Sequence, residues 1–222
     1  MSFHRDERQG KCVGWLSGIV QSAEDSAHRS IAPSQPPGRL MVKLGGSLLE
    51  RADWPELVHH LVCHLAGRPL TIVVGGGAVV NGLRAIDQVA RRPTLLMHSL
   101  AIDGMGLTAR LVADALGLPF GGMQQLACDT TSRVLDVAAW IAHNQRCNAL
   151  PSGWDVTSDS IAACAAVACG GELLLVKSVP PPPCTADRSP LECLAAAGWV
   201  DPFFPIAAAT LTAIEWASPA PI

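Results

Sequence analysis

The sequence LMVKLGGSLL at residues 40–49 sets the architecture that the rest of the chain completes. An apolar run of strand length leads into Lys43, then into Gly45 and Gly46, and a fresh apolar pair follows. Because the run is too short for a whole helix, it predicts a buried strand that ends in a glycine turn. Such a turn points backbone N–H groups at an anion, and Ser47 is placed to cap a following helix. The pattern predicts that the strand delivers Lys43 to a phosphate, with an ordinary strand-to-helix loop as the alternative.

The same order of elements recurs in LTIVVGGG at residues 70–77. A second continuous apolar run enters Gly75, Gly76 and Gly77, and a helical pattern follows over residues 78–90. Three consecutive glycines weaken the backbone, so packing alone is a poor explanation for them. Two strand–glycine–helix units place both loops at the carboxyl edge of one sheet. The repeat therefore predicts an α/β fold with a mainly parallel sheet and two anion-binding loops at one edge.

Composition restricts the partners that the chain can take. The 222 residues are 49% hydrophobic and 16% charged, which is typical of a globular protein with a sizeable core. The formal net charge is -3, and the sequence lacks the clustered cationic residues that binding of nucleic acid requires. The most apolar stretch, residues 161–176, is interrupted by Gly-Gly-Glu and falls short of the roughly 20 residues that a membrane span needs. We therefore expect neither a nucleic acid nor a membrane as a partner.

The residue types that most often hold metals show no site pattern. The eight cysteines contain no CxxC pair and no framework spacing, so free thiols in a reducing cytoplasm are expected. A helix is predicted over residues 53–65 with Asp53 as its cap, and His60 and His64 stand four residues apart on it. No third ligand lies near them, and a half-exposed helix face explains the pair, so no metal site is expected.

The remainder of the chain supports one domain. Residues 1–39 show no sustained periodicity, and we interpret them as a mobile extension of a single domain over residues 40–222. Periodic apolar residues predict helices over residues 99–116 and 131–143 and a final helix through Trp216, while ELLLVK at residues 172–177 predicts a third buried strand. The helix over residues 99–116 carries few charges and would expose apolar surface in a monomer, so a homo-oligomer is expected.

At this point the motifs resemble a known family. VKLGGS, VVGGG and the helix residues Asn81 and Arg84 resemble the amino acid kinase superfamily, which includes acetylglutamate, aspartate, uridylate and isopentenyl phosphate kinases. HSLAIDGM at residues 98–105 and PSGWDVTSDSIA at residues 151–162 resemble its short kinases that phosphorylate aminomethylfuranmethyl phosphate in methanofuran-type cofactor synthesis. The resemblance, which covers residues 40–179 and 200–205, implies a three-layer α/β/α sandwich, ATP and Mg²⁺ as cofactors, and a small-molecule phosphate acceptor.

The resemblance also implies a role for each site residue. Lys43 stabilises the transferring phosphoryl group, and Asp159 orients that lysine. The cofactor side takes Gly45, Gly46, Ser47, Lys177 and Ser178, and the acceptor side takes Gly75, Gly76, Gly77 and Arg84. From the residues alone, other interpretations stay open: Asp159 as a plain helix cap, and Lys177 and Arg84 as solvated surface charges.

The sequence departs from the family after Lys177. Residues 180–183 are four prolines, which favour an extended segment and cannot donate amides to a nucleotide. A second glycine-rich segment with its own lysine is absent, which implies a shortened C-terminal nucleotide half. Two alternatives therefore remain: a catalytically degenerate protein that binds a phosphorylated metabolite or a partner subunit, and a kinase that forms acyl phosphates.

Overall fold

The computed structural model describes residues 15–22, 39–122, 131–144, 150–184 and 188–220. Its strands are β1 (Trp15–Ser22), β2 (Leu40–Leu44), β3 (Leu70–Val74), β4 (Phe120–Gly121), β5 (Arg133–Leu135), β6 (Glu172–Val176) and β7 (Ala213–Pro219). Its helices are α1 (Trp54–His64), α2 (Gly77–Val89), α3 (Thr94–Leu116), α4 (Val137–His143), α5 (Ser158–Cys169), α6 (Pro190–Ala196) and α7 (Phe204–Ala207). A short 3-10 helix at Gly46–Glu50 follows β2.

The strands form one seven-stranded sheet in the order β1-β7-β6-β2-β3-β5-β4. Every neighbouring pair is parallel except β1 and β7. β2 lies in the middle of the sheet, and its Lys43 pairs with Val73 of β3 and Leu175 of β6. The predicted α/β fold with a mainly parallel sheet is confirmed.

Different helices cover the two faces of the central strands. On one face, Leu40, Val42 and Leu44 pack with residues of α1 and α3. On the other face, Met41 packs with residues of α5, α6 and α7. Because side chains alternate along a strand, Lys43 shares the face of Met41 and is directed to the α5 side. Burial on both faces explains why the central strands are continuous apolar runs in the sequence, and the three-layer sandwich is confirmed.

Two helix predictions are wrong because strand pairing prevails over helical periodicity. The segment predicted as a helix over residues 131–143 is divided, with β5 pairing between β3 and β4 and α4 beginning after Asp136, whose side chain caps it. The predicted final helix through Trp216 is instead β7. β7 pairs with β6 on one side and β1 on the other, and these two partners satisfy the backbone groups of its residues.

Two predicted helix caps also have other partners. The Asp53 carboxylate accepts hydrogen bonds of 2.8 Å from Nε and Nη2 of Arg51 and makes no side-chain cap bond to α1. Ser47 lies inside the 3-10 helix, where its hydroxyl is 3.0 Å from the hydroxyl of Ser178. In both cases the side chain that was predicted to cap a helix forms its hydrogen bond with another polar side chain instead.

Part of the predicted N-terminal extension belongs to the sheet. Trp15–Ser22 pairs antiparallel with β7, and the side-chain amide of Gln21 donates a 2.9 Å hydrogen bond to the carbonyl of Leu211. This strand was not predicted from the sequence. Residues 1–14 and 23–38 lie outside the described residues, so the mobility predicted for them and the domain boundary at residue 40 stay predictions.

Among the described helices, α3 alone is long and apolar enough to cross a membrane. It packs against β3, β5 and α2, and its Met105, Ala109 and Val112 side chains are buried, so we interpret α3 as a core helix. Its outer face is different, because it exposes several large apolar side chains. These are Leu96, Leu100, Leu107 and Leu111.

We propose that a second copy of the chain covers this outer face of α3. In an antiparallel pair of α3 helices centred between Gly106 and Leu107, Asp103 of one copy lies opposite Arg110 of the other. Both of these charged residues are exposed and flank the leucines, so the face is complementary to itself in charge as well as in apolar character. A two-fold axis of this kind would give the homo-oligomer that the composition of α3 predicts.

Sedimentation velocity tests this interface. We expect the wild-type protein to sediment as a dimer or larger at micromolar concentration. Leu107→Glu should yield monomers, because two carboxylates would meet at the centre of the interface. Ile206→Glu is the matched control, since Ile206 is 68% exposed on α7, a helix that packs with α5 and α6, and it should leave the assembly unchanged. A wild-type protein that is monomeric throughout this range would contradict the proposal.

Candidate active site

The carboxyl ends of β2, β3 and β6 meet at one point of the sheet edge. The ladder continues past the strands, because Gly45 N–H donates to the carbonyl of Val176 and Gly75 N–H donates to the carbonyl of Leu44, each at 2.8 Å. The same register places Lys177, the residue after β6, next to Gly45. The structure thus brings together the two glycine loops and the lysine that the sequence analysis assigned to one site.

The two glycine loops touch through their backbones. A Cβ added to Gly46 would lie 2.1 Å from the amide nitrogen of Gly77, far inside the contact distance of real side chains. Gly77 has a φ of +50°, a left-handed conformation that other residues adopt only with strain. The glycines are therefore required by the close approach of the loops, and the ordinary-loop interpretation does not account for them.

Not all of the loop amides that the sequence predicted to bind an anion are free to do so. The amides of Gly45 and Gly75 are used in the sheet ladder, so neither is available to a phosphate, contrary to the role predicted for Gly45. The amides of Gly46, Gly76 and Gly77 have no hydrogen-bond acceptor within the described part of the chain. Gly76 and Gly77 also open α2, so the helix dipole adds to the attraction of these amides for an anion.

A buried carboxylate joins the two lysines at this edge. Lys43 Nζ lies 2.8 Å from Oδ1 of Asp159, and Lys177 Nζ donates a 2.8 Å hydrogen bond to Oδ2. The side chains of Lys43 and Asp159 are 5% and 7% exposed. Asp159 is not the cap of α5, because Thr157 occupies that position and its hydroxyl accepts from the Asp159 amide. The Asp159 carboxylate instead binds the lysines, and the plain-cap interpretation is excluded.

The charges of this cluster set its pKa values. Burial would raise the pKa of Asp159, but the adjacent Lys43 and Lys177 outweigh burial and lower it below its ordinary value. Burial and the charge of Lys43 lower the pKa of Lys177 to about 8, even though Asp159 opposes the shift. Two ammonium groups facing one carboxylate leave a net positive charge in a buried place, which is the condition for binding an anion such as a phosphoryl group.

The C-terminal segment supplies groups that the sequence analysis missed. Lys177 Nζ donates to the carbonyl of Trp199 and lies 4.8 Å from the centre of its indole ring. The indole Nε1 in turn donates to the carbonyl of Val179 at 3.1 Å. Two residues further on, the buried carboxylate of Asp201 binds the first turn of α5. The sequence signal for Asp201 was the VDPFFP stretch at 200–205, which the resemblance included without a role, and Trp199 directly precedes that stretch.

The donor side of the cluster is open to solvent. Ser47 follows the free amide of Gly46 and is exposed, while Ser178 follows Lys177 and is partly exposed. Their hydroxyl groups lie 3.0 Å apart and bridge the loops after β2 and β6. These hydroxyls, the Gly46 amide and the lysines offer donors and positive charge to a polyphosphate, so the residues present fit the phosphate groups of a nucleotide such as ATP.

On the acceptor side, a narrow pocket of about 60 Å³ lies between α2, α3 and the start of α5. Its volume is well below the roughly 300 Å³ of typical small-molecule pockets, so it suits a small group. The residues that line it include Gly76, Val80, Arg84, His98, Ile102, Met105, Trp154, Ser158 and Ile161. The structure thus places the predicted acceptor residues Gly76 and Arg84 in one pocket, whereas neither Gly75 nor Gly77 is among the residues that line it.

Arg84 is held at the pocket wall by an aromatic ring. Its guanidinium carbon lies 4.8 Å from the ring centre of Trp154, whose Nε1 donates a 3.0 Å hydrogen bond to Oδ2 of Asp87. Within the described residues no carboxylate pairs with Arg84, and its buried Nε has no acceptor. Arg84 therefore keeps donors available for an anionic ligand, which favours the predicted role over that of a solvated arginine.

The described residues do not provide a magnesium site of their own. The described parts of the chain contain no cluster of three His, Cys, Asp or Glu side chains that could hold a metal. Asp159, the carboxylate at the loops, is already engaged by two lysines. Mg²⁺ commonly binds through the phosphates of a nucleotide, so it would reach this site as part of the MgATP complex.

Comparison with known proteins identifies the family. Residues 38–181 match the model of the amino acid kinase family. This range contains both glycine loops, Asp159 and Lys177. The chain belongs to the amino acid kinase family. Family membership supports phosphoryl transfer as the general class of reaction. The match ends at residue 181, inside the proline run, and no curated protein sequence matches the chain.

Solved structures show the same fold. Uridylate kinase from Archaeoglobus fulgidus is similar with a TM-score of 0.56 and 13% identity, over 82% of this chain and 90% of that one. Aspartate kinase from Synechocystis is similar with a TM-score of 0.55 and 18% identity, over 81% of this chain. The match covers 40% of the aspartate kinase, so this chain corresponds to less than half of it. At these identities the likeness supports the fold.

The pKa of Lys177 predicts an alkaline limit to turnover. Above about pH 8 Lys177 loses its proton and the cluster loses its net positive charge, so kcat/KM for MgATP should fall about tenfold per pH unit. The unfolded chain keeps this proton up to about its ordinary pKa of 10.5. Between these values the unfolded state binds more protons, so this group makes the fold more stable as pH rises, and the lost turnover is not its unfolding.

Steady-state kinetics from pH 6 to 10 measure this limit. Lys177→Arg is the matched control, because guanidinium keeps its charge throughout this range and should move the alkaline limit upwards. A wild-type profile that stays flat to pH 10 would show that the charge of Lys177 is not used.

Proposed function

We propose that the protein transfers a phosphoryl group from ATP to a small phosphorylated metabolite. The observation that carries this proposal is the cluster of Lys43, Asp159 and Lys177 where two glycine loops meet, with donors on one side and a small pocket on the other. The cluster holds buried positive charge between a place for the donor and a place for the acceptor. This arrangement suits phosphoryl transfer, in which positioning and electrostatic stabilisation supply most of the catalysis.

Each residue of the cluster has a defined part in the transfer. When bound, MgATP supplies the γ-phosphoryl group, which passes to an oxygen of the acceptor phosphate as ADP leaves. Lys43 and Lys177 neutralise the charge on the transferring group, and Asp159 keeps both ammonium groups in place. The free amides of Gly46 and Gly77 fix the phosphate oxygens. No general base is required, because the attacking oxygen of a phosphate monoester is already anionic.

We further propose aminomethylfuranmethyl phosphate as the acceptor. The proposal rests on the resemblance of HSLAIDGM and PSGWDVTSDSIA to the kinases of methanofuran-type cofactor synthesis. Both stretches line the acceptor pocket, the first through His98, Ile102 and Met105 and the second through Trp154 and Ser158, among others. The furan ring of this acceptor suits the apolar walls and the small volume of the pocket, and Arg84 is available to the acceptor's phosphate.

A second candidate function is binding without turnover. The four prolines at residues 180–183 and the end of the family match at residue 181 favour a chain that has lost part of its nucleotide site. Such a protein would bind a phosphorylated metabolite or a partner subunit through the same cluster. An acyl-phosphate-forming kinase is a third possibility, distinguished by a carboxylate acceptor.

An ADP-release assay distinguishes these functions. We expect turnover with MgATP and aminomethylfuranmethyl phosphate, and little with amino acids or with the unphosphorylated furan alcohol. The product should be the diphosphate, which ³¹P NMR identifies by its coupled pair of signals. Ligand binding without ADP release across the panel would support the degenerate protein, and turnover with a carboxylate acceptor would support the acyl-phosphate kinase. Either outcome would overturn the proposed reaction.

A further inference from the structure

We infer that Asp201 is a positioning residue for phosphoryl transfer: it holds the first turn of α5, and with it Asp159, against Lys177. Asp201 lies in the segment between α6 and α7, outside the part of the chain that matches the family. It touches neither loop of the site, so it acts through other residues. The inference deepens the proposed function and rests on it for its effect on turnover.

The contacts of Asp201 concentrate on the start of α5. Its Oδ2 accepts hydrogen bonds from the backbone N–H of Thr157, the Thr157 hydroxyl and the N–H of Ser160, at 2.9 to 3.0 Å. Its Oδ1 accepts from the hydroxyl of Ser160 and from the N–H of Phe203 at 3.1 Å. Asp159 lies between Thr157 and Ser160 in the chain, so the turn that carries the Asp159 carboxylate is bound on both sides.

All five partners of Asp201 are donors, and this requires a carboxylate. Asp201 is 6% exposed, so water cannot replace lost bonds easily. In an asparagine at this position, an NH₂ group would replace one of the two carboxylate oxygens. The N–H and O–H donors that face this NH₂ group would then have no acceptor. A helix cap alone would need one or two such bonds, whereas four of the five reach the start of α5 and fix its first turn in position as well as capping it.

The segment that contains Asp201 also holds the other end of the cluster. Trp199, two residues earlier, accepts a hydrogen bond from Lys177 through its carbonyl and contacts the ammonium group through its ring. One short segment therefore binds Lys177 directly and Asp159 through α5. Because Lys177 and Asp159 come from different elements, a common support for both keeps the distance between their side chains constant.

The charges around Lys177 give a readout that does not depend on turnover. The groups that face it are Lys43 on β2, Asp159 on α5 and Asp201, and both carboxylates raise the pKa of Lys177 while Lys43 lowers it. Replacing Asp201 with a neutral residue removes one favourable charge and loosens the position of the other carboxylate. Both changes lower the pKa of Lys177 below about 8.

Lysine NMR measures this pKa directly in the full-length protein. The chain contains only three lysines, Lys11, Lys43 and Lys177, so ¹³Cε-labelled lysine gives a simple spectrum, and Lys177→Arg assigns the Lys177 signal. The test variant is Asp201→Asn. The matched control is Asp136→Asn, which makes the same change at the cap of α4, where Asp136 accepts from the N–H of Ala139.

The inference predicts three results for Asp201→Asn. The titration midpoint of Lys177 should fall relative to wild type, kcat should fall by about tenfold or more, and KM for MgATP should change less than kcat. Asp136→Asn should lower thermal stability at most and leave the Lys177 midpoint and kcat unchanged. If Asp201→Asn shifts only the melting temperature, as the control does, Asp201 is a plain helix cap and the inference is overturned.

A milder variant keeps the test valid if Asp201→Asn does not fold. Ser160→Ala removes one of the five bonds, retains the charge of Asp201, and should lower kcat by about two- to fivefold. Wild-type kcat in a folded Ser160→Ala protein would overturn the inference in that case. If the wild-type protein shows no turnover at all, the proposed function fails, while the Lys177 midpoint of Ser160→Ala, which retains the charge of Asp201, still decides the positioning role. A midpoint below that of the wild type supports that role, and an unchanged midpoint overturns it.

Discussion

The carboxylate of Asp159 between the ammonium groups of Lys43 and Lys177 is the contact on which the site depends. Two buried like charges repel one another, and removing one partner of a buried ion pair typically costs about 3–5 kcal/mol. Asp159 offsets that repulsion while leaving one positive charge uncompensated. The cluster is therefore stable enough to exist in the folded protein and remains attractive to a phosphoryl group.

The fold provides the geometry of this cluster by simple means. Three adjacent parallel strands end at the same level, which brings Lys43, Lys177 and the glycine loops to one edge of the sheet. Contact between the backbones of Gly46 and Gly77 closes that edge, and α5 brings Asp159 onto the face that Lys43 shares. The C-terminal segment then supports the cluster from behind through Trp199 and Asp201.

Features that neighbouring residues determine could be predicted from the sequence, whereas features that depend on contacts between distant segments could not. β2 and β3 were predicted well because burial on both faces leaves a continuous apolar run that ends in glycine. β7 and β1 were missed because pairing between distant segments, and not their own periodicity, makes them strands. The pairing of Lys43 with Asp159 came from the family resemblance, since no local pattern links residues so far apart. The role of Asp201 could not be predicted, because four of its five hydrogen bonds join segments that are about forty residues apart in the sequence.

The most direct measurement for this account is the turnover of Asp159→Asn at saturating MgATP and acceptor, in protein shown to be folded by circular dichroism. Asparagine is nearly the same size and shape as aspartate, but it is neutral and cannot hold two ammonium groups in register. The account predicts a folded variant whose kcat is lower by at least an order of magnitude, because positioning and electrostatics supply the catalysis. Equal turnover in the variant and the wild type would contradict it and would show that the buried cluster is structural.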